Sequence, residues 1–229
     1  MKLVKAIILG FFAMTNALSI SRRGFFASSP TLLSLSLSDS ESDQQESAST
    51  FLQEESNKIY FYGQVSPQTC FILKNQINQM TEKSKKFAND YSSPPFPIHL
   101  HIQSGGGSLF PVIYLVDLIK NQPENIPIYT FIDGFAASAA TLISVAGHKR
   151  YMTKNSLMLI HQLSAPTDSG KYNELKDQMQ NMDSLMKIIV RIYKDNTNIS
   201  DTDLIYLLQK DIWLNSTECL YYGLVDEVI

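Results

Sequence analysis

From residue 57 onward, hydrophobic positions follow two alternating periods. Lys58-Ile-Tyr-Phe-Tyr62 is aromatic and β-branched and stops at Gly63, which predicts a strand. Cys70, Phe71, Leu73, Ile77 and Met80 recur at helical spacing, with Ser66 as cap and Pro67 at the first helical position. Lys83–Pro97 is charged, polar and finally proline-rich, and reads as a surface insertion. Ile98–Ile102 predicts a strand, Gly105-Gly106-Gly107 a tight loop, and Leu109–Asn121 an amphipathic helix. Ile128–Ile132 is a further predicted strand, which Asp133-Gly134 turns into a helical run starting near Ser138. Short strands at Tyr151–Thr153 and Leu157–Ile160 flank Lys154-Asn155, and a long helix spans about Lys171 to Lys194. A short helix capped by Ser200 follows. The last helix starts on Asn215-Ser-Thr-Glu218, a capping-box arrangement, and ends at Gly223 before a closing strand at Leu224–Ile229.

Strands that alternate with helices imply crossover units and a mainly parallel sheet, an α/β fold. Ligands in such folds bind where loops leave the carboxyl ends of the strands. Gly105–Gly107 and Gly134–Ser138 are both loops of that kind.

Residues 1–56 have a different character. Lys2 and Lys5 precede the apolar run Ala6–Met14, and Asn16-Ala-Leu-Ser19 offers small residues near a cleavage point, the order of a secretory signal. The run is too short for a permanent membrane anchor. Ser21-Arg-Arg-Gly-Phe-Phe26 and a Ser- and Leu-rich stretch follow, with no acidic residue until Asp39, the composition of a transit peptide. The tandem resembles the bipartite leaders of plastid proteins in algae with secondary plastids. The arginine pair also resembles a twin-arginine export signal, and the plain alternative is a secretory leader followed by a disordered tail. Asp39–Ser47 is acidic, polar and without an aromatic residue, so it reads as a linker. This divides the chain into a leader and linker at 1–56 and one folded domain at 57–229.

The 229-residue chain has a formal net charge of −3 and no basic stripe, which argues against nucleic acid as a partner. Its two cysteines, Cys70 and Cys219, are too few for an extracellular disulfide framework and read as buried thiols, a single bridge between them being the alternative.

Ser138 stands at the start of a helix after small residues, where unpaired helical N–H groups can hold a developing oxyanion. Taken alone it reads more simply as an N-cap serine. His161 ends the apolar strand Leu157–Ile160, where it is either a base or a satisfied core histidine. The glycine loop lacks the lysine of a phosphate-binding P-loop. Together these segments say more. Ser104-Gly-Gly-Gly107, Gly134-Phe-Ala-Ala-Ser138, Ile160-His-Gln162 and Asp211-Ile-Trp-Leu-Asn-Ser-Thr-Glu218 with Tyr222-Gly-Leu-Val-Asp226 stand in one order. In these motifs the chain, from about Lys58 to Ile229, resembles the Clp protease proteolytic subunit family, the ClpP family.

The resemblance implies a ClpP/crotonase-like fold, with repeated β-β-α/β-α units and a protruding handle helix at Lys171–Lys194. It implies a serine endopeptidase in which Ser138 attacks the scissile carbonyl, His161 takes its proton and Asp211 orients the imidazolium. Gly107 and Ala139 take the oxyanion-hole positions, Gly106 and Gly107 the substrate-binding loop, and Asp226 a structural position. No metal or other cofactor is implied, since ATP is used only by a separate unfoldase. The implied partners are homo- or hetero-heptameric rings in stacked pairs, an AAA+ Clp unfoldase and unfolded polypeptides. Leu175, Met179, Met182, Leu185, Met186 and Ile189 on the long helix face either a partner ring or the domain's own core.

Several positions depart from the family. Gly105 replaces the loop proline and Leu163 the proline after His-Gln. The stretch between Ser138 and His161 is shorter than in bacterial members. His99 and His101 replace aromatic or apolar positions of the unfoldase docking pocket, and have no third ligand for a metal. No counterpart of the axial loop precedes Phe51, which puts docking of an unfoldase in question. Rival readings are a catalytically silent ring subunit, a Ser–Lys signal-peptide peptidase and an acyl-CoA enzyme of the crotonase type. The retained Ser138, His161 and Asp211 speak against all three.

Overall fold

A computed structural model describes residues 51–164 and 170–229. The leader, and the acidic linker up to Ser47, lie outside the described residues. The elements, in chain order, are β1 (Phe51–Glu55), β2 (Lys58–Tyr62), α1 (Pro67–Tyr91), β3 (Ile98–Ser104), α2 (Leu109–Lys120), β4 (Ile128–Ala137) and α3 (Ala139–Val145). There follow β5 (Lys149–Met152), β6 (Leu157–Leu159), α4 (Tyr172–Asn196), α5 (Asp201–Leu208), α6 (Ser216–Tyr221) and β7 (Glu227–Val228).

The strands form one sheet in the order β1-β2-β3-β4-β5-β7, with β6 on β4. Every pairing is parallel except β1 with β2. The fold therefore starts ahead of Asn57. Phe51–Glu55, expected in the linker, pairs antiparallel with β2 across a tight turn in which Ser56 takes φ +55.

The period-2 pattern puts Ile59 and Phe61 of β2, Leu100 and Ile102 of β3, and Ile128 and Ile132 of β4 on one fully buried face. Helices α1, α2 and α3 supply Leu73, Ile77, Val112, Leu115 and Ile143 to the same core. Each such side chain contributes about 1.5–3 kcal/mol by leaving water. The opposite face carries a cross-strand row of rings. Tyr60, His101, Phe131 and Tyr151 stack at centroid distances of 4.9, 4.7 and 4.6 Å, one from each of β2 to β5.

Two elements run longer than the pattern predicts. Helix α1 does not stop at Lys83 but continues to Tyr91. Its Ser66 cap accepts from the Thr69 N–H while the Thr69 hydroxyl accepts from the Ser66 N–H. Its far end is held by Ser84, which is buried and donates to the Phe96 carbonyl at 2.8 Å. Phe87 packs on Phe96 there, so this half of the expected insertion is a helix with an anchored face. Strand β4 likewise crosses Asp133-Gly134 and reaches Ala137. Gly134 takes φ +89, which only glycine adopts easily, and the β3–β4 register shifts beside it. Cys70 and Cys219 are buried free thiols.

The first three turns of α4 are exposed along with Tyr172, Leu175 and Met179, whereas Ile189, Val190, Ile192 and Tyr193 at its far end are buried. The long helix thus projects from the sheet and roots beside Ser138.

Candidate active site

Register brings the chemistry together. Parallel pairing of β4 with β6 sets Ala137 opposite Leu159, so the residues that follow each strand leave the sheet at one edge. Ser138 donates its N–H to the Leu159 carbonyl at 2.8 Å, and His161 stands two residues beyond that carbonyl. Ser138 itself has φ +55 and ψ −128, a conformation that costs a non-glycine residue about 1–3 kcal/mol and persists only where its surroundings impose it.

The Asp211 segment is tied to the same strand at two points. Met158 and Leu214 exchange N–H···O bonds of 2.9 and 2.7 Å, and the Gln162 N–H donates to the Leu208 carbonyl at 2.8 Å. Between these ties Asp211 Oδ1 lies 3.0 Å from His161 Nδ1. A carboxylate only accepts, so Nδ1 is the donor in this bond; in the neutral ring that leaves the lone pair on Nε2, the tautomer a general base needs. The Asp211 side chain is 81% exposed, so the contact orients the ring and adds little to folding stability.

Gly107, Ser138, Ala139 and His161 line one pocket of about 50 Å³, floored by the apolar side chains of Leu142 and Ile189. Ser138 and His161 share this pocket without a hydrogen bond between them; such contacts commonly tighten only when substrate binds. Asp211 reaches it only through His161. Gly106 lies against the serine turn: a Cβ there would stand 2.7 Å from the Ala137 oxygen, 2.7 Å from Ser138 Cβ and 3.0 Å from the Ala139 nitrogen. At Gly107 a Cβ would fall 2.1 Å from the Val65 oxygen. The Val65 N–H bonds the Gly106 carbonyl and the Ser108 N–H bonds the Val65 carbonyl, both at 2.9 Å, so the Gly107 N–H stays out of this bridge. Ala139 opens α3, where an N–H has no acceptor within the helix. Two N–H groups are thus available at the rim of the serine pocket.

Residues 53–229 match the family described as Clp protease. The chain belongs to the Clp protease family. It is a family of serine peptidases. The ATP-dependent Clp protease proteolytic subunit of Streptococcus mutans is 29% identical over 135 residues, 58% of this chain and 68% of that protein. Proteolytic subunit 3 of Streptomyces coelicolor is 26% identical over 171 residues, 72% of this chain and 77% of its own. Among solved structures, a point mutant of ClpP1 from Listeria monocytogenes superposes with a TM-score of 0.63 at 22% identity, covering 76% of this chain and 91% of that one. The fold is therefore the ClpP/crotonase-like one.

The other acid of the closing motif has a separate occupation. Asp226 accepts from the Arg150 backbone N–H at 2.8 Å and from Nε at 2.9 Å, and pairs with Nη2. Arg150 also donates to the Gly223 and Asn196 carbonyls, which ties β5 to the ends of α4 and α6. Burial pushes the Asp226 carboxyl up, but the Arg150 bonds and charge outweigh it and hold it below the usual carboxylate range.

His99 and His101 share a face, where each stacks on aromatic rings. His101 Nδ1 bonds Asp133 Oδ2 at 2.8 Å, and the Tyr62 hydroxyl donates to the same oxygen at 2.6 Å. Sequence reading missed Asp133 as the partner of this histidine and Tyr62 as a second donor to Asp133. It also missed Thr141 and Tyr193, which stand directly behind Ser138. Thr141 lies one turn after the serine and was visible by spacing; Tyr193 is 52 residues from Thr141 and carried no local signal.

Proposed function

We propose that this chain is the proteolytic subunit of an ATP-dependent Clp-type protease that cleaves unfolded polypeptides by acyl transfer through Ser138. The observation that carries the reading is the His161–Asp211 pair at 3.0 Å, with Ser138 and two rim N–H groups around one pocket. In the first step His161 Nε2 takes the Ser138 hydroxyl proton as Oγ bonds to the scissile carbonyl carbon. The carbonyl oxygen becomes an oxyanion, received by the Gly107 and Ala139 N–H groups. His161 then gives its proton to the leaving amine as the C–N bond breaks, and water releases the acyl group by the reverse relay. Asp211 keeps the imidazole in its tautomer and balances its charge.

The pocket floor of Leu142 and Ile189 suits an apolar side chain next to the cleaved bond. The exposed apolar positions Tyr172, Leu175 and Met179 on α4 support assembly into heptameric rings stacked in pairs. An AAA+ unfoldase would spend ATP and feed the chamber. The charged and hydroxylated leader supports plastid import of the precursor.

The test is active-site labelling of the mature protein with a fluorophosphonate, located by peptide mass spectrometry. Labelling of Ser138, and loss of both labelling and peptide hydrolysis in Ser138→Ala, is the expected result. A wild-type protein that takes no label and cleaves no unstructured peptide would leave the silent ring subunit as the better description.

A further inference from the structure

The peptide bond between Ser138 and Ala139 is held from behind by groups outside the triad. The Ser138 carbonyl accepts from the Thr141 N–H at 3.0 Å and from the Thr141 hydroxyl at 2.5 Å. A carbonyl oxygen only accepts, so the single hydroxyl proton of Thr141 is used there. Thr141 Oγ1 also lies 2.6 Å from the Tyr193 hydroxyl, which must then be the donor of that second bond. Thr141 and Tyr193 are both fully buried, and Tyr193 lines the serine pocket.

The peptide group is planar and trans, so the direction of the Ser138 carbonyl fixes the direction of the Ala139 N–H on its other side. Hydrogen bonds to that carbonyl polarise the amide and strengthen the N–H as a donor. Ser138 sits at φ +55, where nothing intrinsic to serine favours this orientation. Resting on the reading of Ser138 as nucleophile, we propose that Thr141 and Tyr193 form a positioning relay, Tyr193 to Thr141 to the Ser138 carbonyl, that aims the Ala139 N–H at the oxyanion. The relay also connects the root of α4 to the oxyanion site, because Tyr193 belongs to that helix.

The relay acts where charge develops, so its loss should show in the transition state and not in ground-state binding. Removing a whole oxyanion donor costs a factor of about 10² to 10³; a misaimed donor keeps part of its effect, which gives an expected loss of about tenfold. The experiment compares Tyr193→Phe, Thr141→Val and their combination in the full mature protein. The readouts are kcat and KM on an unstructured peptide and the affinity of a peptide boronate, which forms a tetrahedral adduct on the serine. Both single variants should lower kcat about tenfold with KM nearly constant, and boronate affinity should fall in step. The combined variant should lose little more than Thr141→Val, because one relay is cut twice. Thr141→Ser, which restores the hydroxyl, should recover kcat. Tyr193→Phe keeps the ring and decides the matter where Thr141→Val does not fold. Unchanged boronate affinity in Tyr193→Phe, or a rise in KM at constant kcat, overturns the relay while the peptidase reading stands. A wild-type protein that neither cleaves peptide nor binds boronate overturns both.

Discussion

The glycine loop offers a graded perturbation with its control built in, because three successive glycines meet three different surroundings. At Gly105 an added Cβ has nothing within 4 Å. At Gly106 it meets Ser138 Cβ at 2.7 Å and the Ala139 nitrogen at 3.0 Å, with φ at +92. At Gly107, with φ at +145, it meets the Val65 carbonyl oxygen at 2.1 Å. The left-handed backbone costs Gly106→Ala about 1–2 kcal/mol. Overpacking a closely fitted site adds about 1–3 kcal/mol. The sum is about 2–5 kcal/mol, and the atoms that must give way are those of the serine turn. Were all of it borne by the transition state, kcat/KM would fall by a factor of about 30 to several thousand. Some will appear as lost stability, so steady-state kinetics must be read beside a thermal melt of the same preparation. Gly105→Ala should match wild type in both. Gly106→Ala should lose about tenfold or more in kcat/KM with a modest fall in Tm. Gly107→Ala should show the larger fall in Tm, since it forces the Val65 bridge open. A Gly106→Ala protein within about twofold of wild type in kcat/KM would refute the packing of this loop on Ser138.

Asp211→Asn should lower kcat by orders of magnitude, through the wrong tautomer and an uncompensated imidazolium, while Asp226→Asn should lower Tm and spare kcat; the reverse pattern in parallel kinetics and melts would mean the acid is misassigned. Burial, then the nearby His101 and Lys58 charges, hold His99 below the ordinary histidine range. Its unfolded form then takes up the proton first, so stability should be constant above about pH 6.5 and fall as pH drops through the lower folded value. His99→Phe, which keeps the stacking on Tyr129 and Phe131, should make the fall of Tm between about pH 7 and pH 5 shallower, leaving the share of His148, which burial also holds low; an equally steep profile would refute this. Asn215-Ser-Thr217 is a glycosylation acceptor, yet Asn215 Oδ1 accepts the Glu218 N–H at 3.0 Å as the α6 cap, four residues beyond Asp211. Mass spectrometry of the native protein should find Asn215 without sugar and a mature start well after Arg23; a glycopeptide there, or a start near Ile20, would sink plastid import in favour of secretion.

Much of the architecture could be read from local pattern because local interactions decide it. The Ser66–Pro67 start of α1 and the Asn215–Glu218 box of α6 are short-range hydrogen-bonding devices, and both appear where their residues stand. Errors came where a distant partner overrides composition. Lys83–Tyr91 looks like solvent-facing chain until Ser84 and Phe87 find Phe96 across the following turn. Asp133-Gly134 is a turn signal, but here glycine serves a bulge, and β6 supplies the pairing that carries β4 on to Ala137. Phe51–Glu55 follows an acidic stretch and has its order imposed by the neighbouring β2.

The candidate site divides along the same line. Ser138, His161 and the glycine loop each belong to a contiguous motif, because each must sit at a strand end or a helix start, and such positions have local signatures. Asp211 has none: it lies in irregular chain, 50 residues from His161, and only resemblance to a known motif singled it out. What holds it opposite the imidazole is a pair of backbone ties, Gln162 to Leu208 and Met158 to Leu214, which use main-chain atoms that every residue has. Such ties leave no trace in residue type. The pair behind Ser138 is hidden differently, since a threonine in a helix and a tyrosine in an amphipathic stripe are ordinary core residues on their own. Their role exists only in the contact between them, and the planar peptide at Ser138 is what turns that contact into a matter of chemistry.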